Sequence, residues 1–143
     1  MQTPCRDTLL IVDDSELNRA ILREIFYREY RIEEAENGRR ALEVVARQQD
    51  RLAALLLDLV MPELDGFGVL EELSRQGLLE SIPVFLITAE TSADIALQGY
   101  ENGVMDVISK PITDPSIVRK RVGNAVELFR GRKDVYKRQQ YTC

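Results

Sequence analysis

The sequence predicts an α/β fold, a doubly wound sheet of five parallel strands with five helices on its faces. Two observations lead there. Short apolar runs alternate strictly with amphipathic segments, and five strand–helix units in alternation require parallel strands joined by right-handed crossovers. Two of the runs, Leu9–Val12 and Leu55–Leu57, are unbroken by any polar residue, as befits strands covered on both faces.

In chain order the strands are expected over Thr8–Val12, Arg31–Ala35, Ala54–Leu57, Val84–Thr88 and Val107–Ile108. The helices between and after them are expected over Ser15–Arg28, Arg39–Arg47, Gly66–Gln76, Ala93–Asn102 and Pro115–Arg130. In the first helix Leu17, Ile21 and Ile25 recur every four residues. In the last, Val118, Val122, Val126 and Phe129 do much the same, and each set is read as one buried face. Ser15 and Asp65 are placed to cap the helices they precede, and Asn37-Gly38 is a turn signal. Asp114-Pro115 puts a cap just before a proline at the first helical position. One domain over residues 7–130 is expected, followed by a polar, basic tail or truncated linker over 131–143.

Composition narrows the function. Apolar residues make up 45% of the chain, too many for a disordered segment. Runs such as Leu52–Leu57 are far too short to span a membrane. The N-terminus has no basic stretch followed by an apolar one, so no secretory signal is expected. Cys5 and Cys143 sit at opposite ends without framework spacing and are read as reduced thiols of a cytoplasmic protein. The chain has no histidine. That excludes Ser/His/Asp and Cys/His catalysis, and any phosphohistidine of its own. Residues 1–118 hold 22 acidic against 11 basic side chains, while residues 119–143 hold two against eight. The basic stretch is read as the solvated face and end of the last helix, where cations suit the macrodipole. Direct nucleic-acid binding is not expected, since no room remains for a DNA-reading domain.

In a doubly wound sheet the chemistry gathers where strands end. Asp13 and Asp14 follow the first expected strand, Asp58 the third, Thr88 ends the fourth, and Lys110 lies two residues past the fifth. Carboxylates brought together there repel by about 4 kcal/mol per close pair at an effective dielectric near 20. A hard cation such as Mg²⁺, which takes carboxylate and carbonyl oxygens, would relieve that repulsion. Lys110 adds a point positive charge suited to a phosphoryl oxygen, and Thr88 a hydroxyl. Together these are the equipment for phosphoryl transfer to an aspartate. Taken singly, each has a plainer explanation: a helix cap for Asp13-Asp14, a strand end for Asp58, a β-branched strand residue for Thr88, a turn for Lys110-Pro111. Four matching strand ends outweigh those explanations jointly.

The segments Leu10-Ile11-Val12-Asp13-Asp14-Ser15, Leu57-Asp58-Leu59-Val60-Met61-Pro62-Glu63-Leu64-Asp65-Gly66, Thr88-Ala89 and Ser109-Lys110-Pro111 resemble the receiver domain of bacterial response regulators, the CheY-like, flavodoxin-like family of two-component systems. The spacings agree: 44 residues from Asp14 to Asp58, 30 on to Thr88, 22 more to Lys110. The resemblance implies that Asp58 accepts a phosphoryl group from a sensor histidine kinase, a histidine phosphotransfer protein or a small phosphodonor. It implies Mg²⁺ held by Asp13, Asp14, Asp58 and the backbone carbonyl of Val60, with Lys110 and Thr88 acting on the phosphoryl group. It also implies a cis bond before Pro111, a loop shaped by Pro62 and Gly66, and a phosphorylation-dependent homodimer through the fourth helix, fifth strand and last helix. This sequence departs from the pattern at Val107, where the family usually has Tyr or Phe. Val60 and Glu90 occupy positions that tune phosphate lifetime in the family.

Three alternatives compete. An aspartate-nucleophile phosphatase wants a second carboxylate two residues after the nucleophile, and only Asp14/Glu16 meets that spacing. A nucleotide or flavin module is poorly served, because Gly66-Phe67-Gly68 lacks the third glycine and no P-loop occurs. A receiver used only for docking is the third, against which all its phosphorylation residues are present. Not being a turnover enzyme on free substrates is the expectation.

Overall fold

The computed structural model describes residues 6–133. Its sheet runs β2-β1-β3-β4-β5, all parallel: β1 (Thr8–Val12), β2 (Arg31–Ala35), β3 (Leu52–Leu57), β4 (Val84–Thr88) and β5 (Asp106–Ser109). The helices are α1 (Glu16–Phe26), α2 (Gly38–Gln48), α3 (Gly66–Arg75), α4 (Ala93–Glu101) and α5 (Pro115–Lys133). The expected alternation is found in the expected order. β3 begins two residues earlier than expected and β5 is longer by one residue at each end. A single 3-10 turn, Leu78–Glu80, follows α3 without having been expected.

Strand burial follows from the two-sided covering. Every residue of β1, β3 and β4 is buried, whereas β2 at one edge buries only Ala35. Alternation splits each strand between two cores. Leu10, Val12, Leu55, Leu57 and Leu86 face α2 and α3, while Leu9, Ile11, Leu56, Phe85 and Ile87 face α1 and α5. The α5 stripe lies where the sequence put it, with Val118, Val122, Val126 and Phe129 buried.

The α1 stripe does not. Leu17 is 70% exposed and Ile21 45% exposed, Ile25 is half-buried, and the sheet instead takes Leu22 and Phe26. A four-residue spacing drifts about 40° per repeat around a helix, so Leu17–Ile21–Ile25 and Leu22–Phe26 form neighbouring stripes. Only the second meets the sheet squarely.

The caps are built as expected. Ser15, Asp65 and Asp114 accept from backbone N–H groups of Asn18, Gly68 and Ile117. Asn37-Gly38 proves to be a helix start rather than a free turn, with Asn37 capping α2 through the N–H of Arg40. Cys5, Cys143 and residues 134–143 of the tail lie outside the described residues.

Candidate functional site

The strand order changes direction between β1 and β3, since the chain passes from β1 outward to β2 and then back across. Ligands of doubly wound sheets bind at such a switch point, beyond the strands' C-terminal ends. Backbone pairing continues past those ends and aligns the polar residues in one row. The Asp13 N–H donates to Ala35 C=O of β2 (3.1 Å), the Asp58 N–H to Val12 C=O of β1 (2.9 Å), and the Lys110 N–H to Thr88 C=O of β4 (3.0 Å). Each residue is thus fixed by the strand beside it.

The side chains meet above that row. Carboxylate oxygens of Asp13, Asp14 and Asp58 lie within 4.8 Å of one another. Lys110 Nζ donates to Asp13 Oδ2 at 2.6 Å and lies 3.4 Å from Asp58 Oδ1. Asp13 and Asp58 are buried and Asp14 is exposed, so the cluster has a sealed floor and an open side. The other oxygen of Asp13 accepts from the Ser15 N–H. The Lys110–Pro111 bond is cis, as the resemblance implies.

Burial pushes the Asp58 carboxyl above its ordinary pKa. The Lys110 charge opposes this and the Asp13 charge reinforces it, while hydrogen bonds from Lys110 and the Val60 N–H lower it; the net direction is upward. The loop after Asp58 is drawn tightly beneath it. A Cβ on Gly66 would stand 2.8 Å from the Asp58 carbonyl oxygen and 2.9 Å from Leu59 Cα, closer than backbone tolerates, so this loop needs glycine there. Thr88 is buried at the end of β4, its hydroxyl accepting from the Glu90 N–H (3.1 Å). Val107 packs among the residues between the sheet and α4, 3.5 Å from where a Cβ on Gly99 would stand.

The donor set suits a hard divalent cation. It is all oxygen, it carries three carboxylates, and within it one lysine is the charge compensation seen. Mg²⁺ prefers a site of this kind, with one or two carboxylates and remaining places for water and phosphate.

The family model described as the response regulator receiver domain matches residues 9–122. The chain belongs to that family. Relatives include a Vibrio cholerae protein named Probable cyclic di-GMP phosphodiesterase, 33% identical over 94% of this chain and 30% of that protein. The transcriptional regulatory protein SrrA of Staphylococcus aureus is 34% identical over 77% of this chain and 44% of its own length. The chain therefore spans less than half the length of these relatives. Among solved structures, Vibrio cholerae CheY4 matches with a TM-score of 0.74 and 26% identity, covering 82% of this chain and 97% of that one. The CheX-CheY-BeF3-Mg complex of Borrelia burgdorferi matches at 0.77 and 26%, covering 83% and 88%. As a member of this family the chain is a signal-transduction receiver.

The structure brings Asp13, Asp14, Asp58 and Lys110 together and sets Thr88 at the neighbouring strand end. Two further groups escaped the sequence reading. Arg19 of α1 reaches the Asp13 carbonyl oxygen at 2.7 Å and Glu34 at 3.0 Å. Across the sheet, Asp106 receives two hydrogen bonds from Arg121 of α5 (2.7 and 2.6 Å) and one from the Tyr100 hydroxyl of α4 (3.2 Å). Each pair joins a helix arginine to a carboxylate on a strand fifteen residues away in the chain, so nothing in the local spacing marks these pairs. The tyrosine alone offered a signal, as an aromatic near the end of a short amphipathic helix. Among the described residues no helix is long and apolar enough to cross a membrane.

Proposed function

We propose that Asp58 is the phosphoacceptor, that Asp13, Asp14, Asp58 and the Val60 carbonyl hold Mg²⁺, and that Lys110 and Thr88 bind the phosphoryl oxygens. The observation that carries this is Lys110 Nζ standing between the Asp13 and Asp58 carboxylates at 2.6 and 3.4 Å. A carboxylate oxygen of Asp58 attacks phosphorus, the donor's N–P bond breaks, and the imidazole leaves with the electron pair; the product is an acyl phosphate. When bound, Mg²⁺ would neutralise the charge that develops on the phosphoryl oxygens as the Asp58 oxygen attacks and the nitrogen departs. Lys110 moves from the Asp13 carboxylate toward the transferred group, and the Thr88 hydroxyl turns from the Glu90 N–H to donate to a phosphoryl oxygen. That turn draws the loop holding Ala89 and Glu90 inward. The reaction is one transfer per site rather than turnover of free substrates.

The donor is a phosphohistidine on a sensor kinase or phosphotransfer protein, and the protein works in the cytoplasm with it. Support comes from the exposed Leu17 and Ile21. Ile21 lines a groove of about 250 Å³ together with Asn18, Ile87, Ala89, Lys110, Pro111 and Ile112, and Leu17 stands one turn earlier on α1. An apolar surface around a partner's phosphohistidine would fit there, with its imidazole beside Lys110. The output is a homodimer through α4, β5 and α5. Exposed Leu97, Tyr100 and Ile117 supply apolar contact there, with acidic Asp94 and Glu101 on α4 and basic Lys120 on α5.

Incubation with acetyl phosphate tests the reading. Wild-type protein should gain one phosphoryl group by intact mass with Mg²⁺ and none with chelator, and Asp58→Asn should gain none. Equal phosphorylation of that variant would overturn the assignment.

A further inference from the structure

We propose that Arg19 is a positioning residue for the metal-binding aspartates, acting through the backbone of Asp13. This rests on the Mg²⁺ reading given above. The Arg19 side chain is only 15% exposed although it lies in the second turn of a surface helix. Its Nη1 donates to the Asp13 carbonyl oxygen at 2.7 Å, and its Nε to Glu34 Oε1 at 3.0 Å. The second oxygen of Glu34 is taken by Arg23, one turn further along α1.

The Asp13 carbonyl belongs to the peptide joining Asp13 to Asp14. On the other side of Asp13, its N–H is held by Ala35 C=O, the residue after Glu34. The β2 edge therefore grips Asp13 twice, once through the ladder and once through Glu34 and Arg19. The Asp13 carboxylate has its own anchors in Ser15 and Lys110, but Asp14 is exposed. Its direction depends on the plane of the peptide before it, which Arg19 fixes. A planar guanidinium with several donors in a fixed fork can hold a carbonyl and a carboxylate at once. Partners that orient metal ligands without touching the metal commonly govern affinity as strongly as some ligands do.

The sign of the effect separates positioning from charge. Losing a cation near three carboxylates makes the site more negative, which by itself tightens Mg²⁺ binding. Losing the grip on the Asp13–Asp14 peptide weakens it. Titrate Mg²⁺ alone into wild type, Arg19→Met and the charge-balanced Arg19→Met/Glu34→Gln pair, following amide shifts. Measure amide hydrogen exchange at Asp14 and Ser15 without metal. Both variants should bind Mg²⁺ roughly tenfold more weakly, with faster exchange confined to the β1–α1 junction. Arg19→Lys keeps the charge but cannot hold both partners, so it should fall between; it also carries the comparison if Arg19→Met unfolds. Wild type that binds Mg²⁺ while the variants match it, or bind more tightly, overturns this inference alone. Wild type indifferent to Mg²⁺ overturns the metal reading and this inference with it.

Discussion

Asp58 and Asp106 are both partly enclosed carboxylates on the same sheet, yet their surroundings push them in opposite directions. Asp58, past the end of β3, is held above the ordinary carboxylate range, burial outweighing its contacts with Lys110. Asp106, at the start of β5, is also raised by burial. There the hydrogen bonds and charge of Arg121, the Val107 N–H and the Tyr100 hydroxyl outweigh it, and its pKa falls. The first environment leaves a carboxylate underserved, so a cation has something to relieve. The second is complete in itself and ties α4, β5 and α5 together. One end of the molecule gathers carboxylates that lack full compensation, and the other holds a surface in place.

The largest expected effect lies at the carboxylate cluster. On the proposed reading Mg²⁺ is held only by the assembled carboxylates, so it should stabilise the fold by about 2.7 kcal/mol at one hundred times its dissociation constant. Asp14→Ala should lose most of that gain in chemical denaturation. A gain equal to that of wild type would mean that Asp14 is no ligand.

Next comes the loop beneath Asp58. The methyl group of Gly66→Ala meets backbone rather than a yielding side chain. It should cost about 2 kcal/mol of stability and slow phosphorylation by acetyl phosphate. Unchanged urea midpoints would show that the loop can move aside.

The contrast between the two carboxylates can then be read in pH. The folded pKa of Asp58 lies above its unfolded value. Its contribution is therefore fully present below the unfolded value and lost as pH rises through the folded one. With chelator present, Asp58→Asn should melt higher than wild type at neutral pH, and the difference should vanish in acid. Asp106 is the reverse: its contribution is present above the unfolded value and lost as pH falls through the lowered folded one. Asp106→Asn should cost about 1 kcal/mol at neutral pH and less in acid. Melting curves that move the same way for both variants would erase the distinction.

The smallest effect concerns communication between the ends. Valine at 107 has one stiff side-chain torsion and no long lever, and it rests against α4 beside Gly99. The transmitted shift is therefore expected to pass through the backbone of the loop after Thr88 and the packing of α4 on Val107. A differential of ~1.4 kcal/mol would change the population ratio tenfold. Val107→Tyr should enlarge the response of solution mass and of amide shifts across residues 93–107 to beryllofluoride. Shifts confined to the surroundings of Asp58 and Lys110 in both proteins would break the proposed route.

How much was legible beforehand divides along the same line. The carboxylate cluster was readable because its residue types are uncommon where they stand: carboxylates, a lysine and a threonine at the ends of apolar runs. Five strands and five helices were readable from alternation and caps. The buried face of α1 was not, because Leu17–Ile21–Ile25 and Leu22–Phe26 are equally apolar stripes and only the docking angle of the helix chooses between them. Arg19, Arg121 and Asp106 were hidden for a different reason. Their roles come from reach across elements, and a charged residue's partner over such distances leaves no local pattern.

The central claim is that the underserved carboxylate is the one that reacts. Phosphorylate the protein with acetyl phosphate and Mg²⁺, reduce the acyl phosphate with borohydride, and locate the resulting homoserine by peptide mass spectrometry. The account predicts homoserine at position 58, absent when Mg²⁺ is chelated. Homoserine at position 13 or 14 instead, or none anywhere after a phosphoryl mass gain, would contradict it.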